Sequence, residues 1–216
     1  MRIIVNKGGK KMKFKILLVA TLILFISSFM IMGTTYAQED FNLRGGVTYT
    51  TFSDDDALEG LDSGFGFYVG GEYPLNNFLK VIGQHERYYF SHTFTETAYD
   101  GTTYTYDAKI NLNAIVGLLS LDLMNEEEIS FALMGGPGYY FGKISVEDEA
   151  TTISLDLEPS FGFKFGAGID YPMQENLSFN ANGFYRILET NLEDTDDLED
   201  GDFSGLEISG GLIYNF

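Results

Sequence analysis

The stretch Ile153-Ser154-Leu155-Asp156-Leu157-Glu158-Pro159-Ser160-Phe161-Gly162-Phe163-Lys164-Phe165-Gly166-Ala167-Gly168-Ile169-Asp170-Tyr171 decides the fold. Its odd positions read Ile, Leu, Leu, Pro, Phe, Phe, Phe, Ala, Ile, Tyr, and its even ones Ser, Asp, Glu, Ser, Gly, Lys, Gly, Gly, Asp. Successive side chains of a strand point to opposite faces, so this period of two predicts a β-strand with one greasy face and one polar face.

The same alternation recurs on either side. Leu177, Phe179, Ala181, Gly183, Tyr185 and Ile187 stand opposite Ser178, Asn180, Asn182 and Arg186. Phe65, Phe67, Val69, Gly71, Tyr73 and Leu75 stand opposite Gly66, Tyr68, Gly70 and Glu72. Tyr104, Tyr106, Ala108, Ile110, Leu112, Ala114 and Val116 stand opposite Thr105, Asp107, Lys109, Asn111 and Asn113. The chain ends in one more such segment, with Leu206, Ile208, Gly210, Leu212, Tyr214 and Phe216 on one parity. Eight strands are expected, at about 41–52, 64–75, 78–94, 103–123, 129–147, 152–173, 177–191 and 203–216. The third is ambiguous, because Gln84, His85, Glu86 and Arg87 place polar groups on both parities. Either a bulge or departure from an apolar medium accounts for that. The run Gly135-Gly136-Pro137-Gly138 is irregular too, since proline removes a ladder donor.

Connections alternate between tight turns and longer polar loops. The tight ones lie near residues 76, 125 and 174, and their flanks resemble one another: Asp122-Leu123-Met124-Asn125 matches Asp170-Tyr171-Pro172-Met173. Hairpins joined this way form an up-and-down meander. Closing its last strand on its first removes both open edges, which makes a barrel.

Residues 1–37 read as a secretory signal peptide. Lys10, Lys11, Lys13 and Lys15 precede an apolar run from Ile16 to Ile26, and Thr35-Tyr36-Ala37 has the small residues of a cleavage site. An uncleaved anchor is the competing reading. The barrel domain is then 38–216. Six of the 13 basic residues lie in 1–37, leaving 7 against 32 acidic ones, a net charge of −25. Nucleic acid is excluded as a partner for such a surface. The chain has no cysteine, so neither a disulfide nor a lipidated Cys is available.

Alternation alone leaves the orientation open, because a soluble lipocalin-like ligand carrier turns its apolar face inward. Three features favour lipid outside. The polar face mixes glycine and asparagine with charges of both signs: Arg44, Glu72, Asp107, Lys109, Lys164, Arg186 and Glu207. Acidic residues gather instead in loops, from Asp54 to Asp62 and from Glu193 to Asp202. Aromatics cluster at strand ends, among them Tyr73, Phe78, Tyr171, Phe179, Tyr214 and Phe216, where a membrane girdle would lie.

With its leading segment, its Gly70-Gly71-Glu72-Tyr73-Pro74-Leu75 and Gly166-Ala167-Gly168-Ile169-Asp170-Tyr171-Pro172-Met173 strand ends and its terminal Tyr214-Asn215-Phe216, the chain resembles the small outer-membrane β-barrel proteins, the OmpA/OmpX/OmpW-like and opacity-like group. The resemblance spans roughly 38–216. It implies an eight-stranded antiparallel transmembrane barrel in a bacterial outer membrane, among its lipids and lipopolysaccharide. It also implies that the strand ending in Phe216 is read by the barrel assembly machinery.

No catalytic, cofactor-binding or metal-binding residues are nominated. His85 and His92 are the two histidines, and neither sits in a recognisable motif. Ser91 and His92 are adjacent, so on a strand they point to opposite faces and cannot pair as nucleophile and base. Arg44, Glu72, Lys164, Arg186 and Glu207 are expected to pair inside a lumen just wide enough for side chains to fill. The acidic loops lack the spaced pattern of a dedicated Ca²⁺ site, and hydration suffices to explain them. The expectation is a monomeric structural or surface-interacting barrel. The alternatives are a narrow channel for small or apolar solutes, a lipid A-modifying enzyme and a soluble carrier.

Overall fold

The protein's structure, a computed structural model, describes residues 41–52, 63–97, 99, 101–125, 129–147, 151–190 and 201–216. The proposed signal segment, most of the two acidic loops, and the tips at 126–128 and 148–150 lie outside the described residues. Among the described residues ten strands are present: β1 (Asn42–Phe52), β2 (Ser63–Asn76), β3 (Leu79–Thr97), β4 (Thr103–Asn125), β5 (Ser130–Glu147), β6 (Thr152–Gln174), β7 (Leu177–Ile187), β8 (Glu189–Thr190), β9 (Gly201–Asp202) and β10 (Gly205–Asn215). Eight of them close into a barrel in the order β1-β10-β7-β6-β5-β4-β3-β2, every neighbour antiparallel. The seventh expected strand is shorter than read, because β8 and β9 pair separately. The turn at Asn76 is held by its own side chain, whose Oδ1 accepts from the amides of Phe78 (3.0 Å) and Leu79 (2.9 Å).

The outer wall is apolar where the alternation predicted it. Phe161, Phe163 and Phe165 are 54%, 48% and 47% exposed, while Lys164 between them is 0% exposed. Phe65, Phe67 and Val69 of β2, Phe179 and Ile187 of β7, and Leu206, Ile208 and Leu212 of β10 face the same way. Aromatics rim the band on the side of the loops, in contacts such as Tyr49–Phe65, Tyr139–Phe161 and Phe165–Tyr185. Tyr73, Tyr171, Phe179, Tyr214 and Phe216 rim the side of the tight turns.

Two expectations fail in an instructive way. The apolar run of β6 does not keep to one face. Tyr140 pairs with Ser160 but Gly142 pairs with Leu157, so Glu158 and Pro159 together oppose Phe141. This bulge reverses the parity, and a proline fits there because a bulge spares the ladder its missing donor. Below it, Phe161, Phe163 and Phe165 point out. Above it, Leu157 is buried on the inner side; Leu155 and Ile153 share its face, registered with Ile144 and Val146, but are 39% and 59% exposed.

The second correction concerns β4. Ala108, Ile110, Leu112, Ala114 and Val116 are buried inside the barrel, so Asp107, Lys109, Asn111 and Asn113 face outward rather than into the lumen. Lower down the same strand, Ile115, Leu119, Leu121 and Leu123 form the outer face and Ser120 and Asp122 the inner one. The wall therefore changes character along β4. A transmembrane strand needs about 9–11 residues, and Ile115 to Leu123 supplies that length. Beyond it, β3–β6 continue with an apolar inside and a polar outside, as in a water-soluble sheet. Phe90, Ile110, Leu112, Leu157, Leu188 and Phe203 belong to the core within.

The ambiguous third strand contains no bulge, since its register with β4 is unbroken from Leu79 to Thr97. Gln84 and Glu86 point in, and His85 and Arg87 point out beside Ile115 and Asn113. The Gly-Pro run of β5 interrupts the ladder at Gly136 and Pro137 without shifting register. There the strands crowd, because a Cβ on Gly136 would collide with the carbonyl oxygen of Gly117.

Candidate functional site

The upper part of the interior is filled by charged and aromatic side chains delivered from five strands, β3, β5, β6, β7 and β10. Lys164 of β6 is its centre. Its Nζ donates to Glu86 Oε1 of β3 and to Glu207 Oε1 of β10, both at 2.6 Å. Gln84 Nε2 donates to the same Glu86 oxygen at 2.5 Å, and the Tyr88 hydroxyl lies against both carboxylates, 2.8 Å from Glu207 Oε2. The Lys164 ammonium also rests 4.6 Å from the centre of the Phe184 ring.

Arg186 of β7 completes the group. Its Nε donates to the carbonyl of Phe203 at 3.1 Å, and the guanidinium lies 4.9 Å from the Tyr88 ring centre and 6.0 Å from that of Tyr140. Phe203 N in turn bonds the Leu188 carbonyl, and Leu188 N bonds Ser204 Oγ. Leu188, Phe203 and Ser204, which flank the β8–β9 pair, are thus buried against the cluster on the loop side. Lys164, Glu86, Glu207 and Arg186 sum to zero charge. A buried charge is tolerable only when it is paired and hydrogen-bonded. Lys164, Glu86 and Glu207 meet both conditions, whereas Arg186 is held by the Phe203 carbonyl and two phenol rings and leaves its Nη1 without a hydrogen-bond partner.

A second layer lies toward the tight turns. Arg44 faces Glu72 at 3.7 Å, and Asn42 Nδ2 donates to Glu72 at 3.1 Å. Lys80 pairs with Asp122 at 3.0 Å. Between the layers, the Tyr68 hydroxyl donates to Asn180 Oδ1 (3.0 Å) and Asn182 Nδ2 to Ser209 Oγ (3.1 Å).

All five residues expected in the lumen are there, in two layers: Lys164, Arg186 and Glu207 above, Arg44 and Glu72 below. Sequence reasoning missed Glu86, Gln84, Tyr88 and Tyr140. The even parity of Gln84, Glu86 and Tyr88 was a usable signal, hidden by His85 and Arg87 on the opposite one. The misassigned pair lies outside the lumen. Asp107 accepts from Thr93 Oγ1 at 2.6 Å, and Lys109 bonds Glu147 at 2.5 Å. That hydrogen bond raises the Lys109 ammonium above its ordinary pKa. His85 faces outward between Val69 and Ile115, whereas His92 is registered with buried Ala108 and Ser91 with Lys109, on opposite faces as expected. Among the described residues, no cluster of His, Asp or Glu has the arrangement of a metal site.

A closed antiparallel ring with an apolar exterior, aromatic rims and a charge-paired interior defines a transmembrane β-barrel. In a soluble lipocalin-like carrier the charged face would be the solvated one. Here Lys164, Arg186, Arg44 and Glu72 are buried inside while Phe161, Phe163 and Phe165 are exposed outside, although Ile82, Leu118 and Met134 also face inward. Residues 21–216 match the outer membrane protein beta-barrel domain family, and the chain belongs to that family. It is a protein of the bacterial outer membrane. No curated protein matches it by sequence.

Solved structures share the fold at low identity. Neisserial surface protein A superposes with a TM-score of 0.57 at 16% identity, over 82% of this chain and 97% of that one. OprG from Pseudomonas aeruginosa gives 0.57 at 18%, over 82% and 96%. Ail, the attachment invasion locus protein of Yersinia pestis, gives 0.53 at 17%, over 83% and 100%.

Proposed function

We propose that this chain is a sealed, monomeric outer-membrane barrel with a structural or surface-interacting role and no catalytic one. The observation that carries the reading is the fully buried cluster of Lys164, Glu86, Glu207 and Arg186, which spans the lumen from β3 to β6, β7 and β10. An ion or solute crossing here would have to displace paired charges from a site with no water exposure, at a cost of several kcal/mol per ion. The continuation of β3–β6 beyond the apolar band supports a role at the cell surface, because it holds a polar outer face rigidly above the bilayer. In this reading the exposed Phe216, edge-on to Tyr214 at 5.0 Å, is the terminal signal offered to the barrel assembly machinery.

Planar-bilayer recording tests the sealed lumen. The purified barrel should show no current steps above background. Discrete, reproducible steps would favour the narrow channel instead.

A further inference from the structure

We propose that the outer wall carries a binding groove for the phosphorylated sugar headgroup of an outer-leaflet glycolipid, centred on Arg87. A depression of about 600 Å³ runs across β3–β6 where the bulge at Glu158–Pro159 reverses the wall. That volume lies within the usual range of small-molecule sites. Arg87, Asn111, Asn113, Lys143, Ser145 and Asp156 supply its polar lining, and Phe141 its aromatic side.

Three observations select the occupant. The first is charge. Lys143 is neutralised by Asp156 at 3.1 Å, but Arg87 has no carboxylate partner among the described residues. Its Nε is buried with no hydrogen-bond partner, and its guanidinium lies 5.0 Å from the Tyr89 ring centre. A half-buried, unpaired guanidinium is a fork suited to a phosphate.

The second is height. Arg87 lies nine positions beyond Phe78 at the tight turn (87 − 78), and Asn113 directly follows the apolar run Leu123 to Ile115. With about 9–11 residues needed to span, the groove opens at the outer headgroup boundary. Phe67 is registered with Arg87, and Ile115 lies just below Asn113, so acyl chains of the same molecule would lie on apolar wall. The third is lining chemistry. Carboxamides and hydroxyls both donate and accept, as sugar hydroxyls require, and a bare lipid phosphate would use few of them.

The test reconstitutes the barrel in phosphatidylcholine nanodiscs doped with bisphosphorylated lipid A and measures lipid retained after dilution by native mass spectrometry. Lipid A with its phosphates removed and free inorganic phosphate are the comparison arms. Wild-type protein should retain lipid A, retain the dephosphorylated form poorly, and not lose lipid A to inorganic phosphate. Arg87→Gln should reduce retention about tenfold, the factor expected from one charge-assisted hydrogen bond. Asn111→Asp, which places a carboxylate in the groove without changing side-chain size, should do the same. Equal retention by wild type and both variants, with heat-modifiable migration intact, would overturn the proposal. So would full displacement by inorganic phosphate, or equal retention of the dephosphorylated lipid. None of these results bears on whether the lumen conducts.

Discussion

Lys164 of β6 and Arg186 of β7 are direct cross-strand partners, so two cations with no solvent exposure stand side by side inside the barrel. Like charges placed opposite one another destabilise a sheet unless something intervenes. Here two carboxylates and two phenol rings intervene, and the pair becomes the keystone of the interior.

Removing the central cation should therefore be costly. Lys164→Met strands Glu86 and Glu207 without their shared partner, and breaking a buried ion pair costs about 3–5 kcal/mol. The temperature at which the compact band converts to the unfolded one on a gel should fall markedly. Glu86→Gln should have a smaller effect, because Lys164 retains Glu207 and a carboxamide still accepts its hydrogen bond.

The outer wall gives a sharper contrast. Phe163→Arg puts a cation against acyl chains at a cost of about 2–4 kcal/mol. Thr105→Arg lies on the polar outer face of upper β4 and should be neutral. Urea titration of folding into phosphatidylcholine vesicles reads both directly.

Close backbone approach predicts a third pair of outcomes. Gly136→Ala drives a methyl into the Gly117 carbonyl and should cost about 1–3 kcal/mol, as overpacking does. Gly117→Ala, whose Cβ meets nothing nearby, should fold in the same vesicles as well as wild type.

The exposed pair Lys109–Glu147 should contribute nothing measurable, since surface ion pairs rarely do. The hydrogen bond raises the Lys109 pKa, so whatever the pair adds is fully present below the ordinary ammonium range and lost only as pH rises through the raised value. Lys109→Ala should leave the gel conversion temperature unchanged throughout neutral pH.

The spanning section was legible in the sequence because a membrane barrel keeps one parity greasy and the other polar. β2, β7, lower β6 and β10 obey that rule, and their outer faces were read correctly. Upper β4 and upper β6 misled because parity says that two faces differ, not which one is inside. Once strands leave the bilayer, the solvent sits outside and the sign of the pattern inverts. On β6 the inversion is absorbed by the Glu158–Pro159 bulge, so one unbroken alternation conceals two orientations. On β4 the register is unbroken at that level, its shift against β5 lying lower, between Asp122 and Met124. The adjacent Leu118 and Leu119, one inward and one outward, blur the point where the outer face turns from leucine to asparagine. The lumen was half legible: the mixed charges announced pairing, but which carboxylate meets which cation depends on contacts across the barrel that no single strand records.

The most direct measurement of sidedness uses the absence of native cysteine. Single cysteines at Phe163, Ile115, Lys109 and Ser154 would each carry a fluorophore in reconstituted vesicles. Labels at Phe163 and Ile115 should be quenched by brominated acyl chains and shielded from iodide, and labels at Lys109 and Ser154 should show the reverse. Iodide quenching at Phe163 together with lipid quenching at Lys109 would contradict the account.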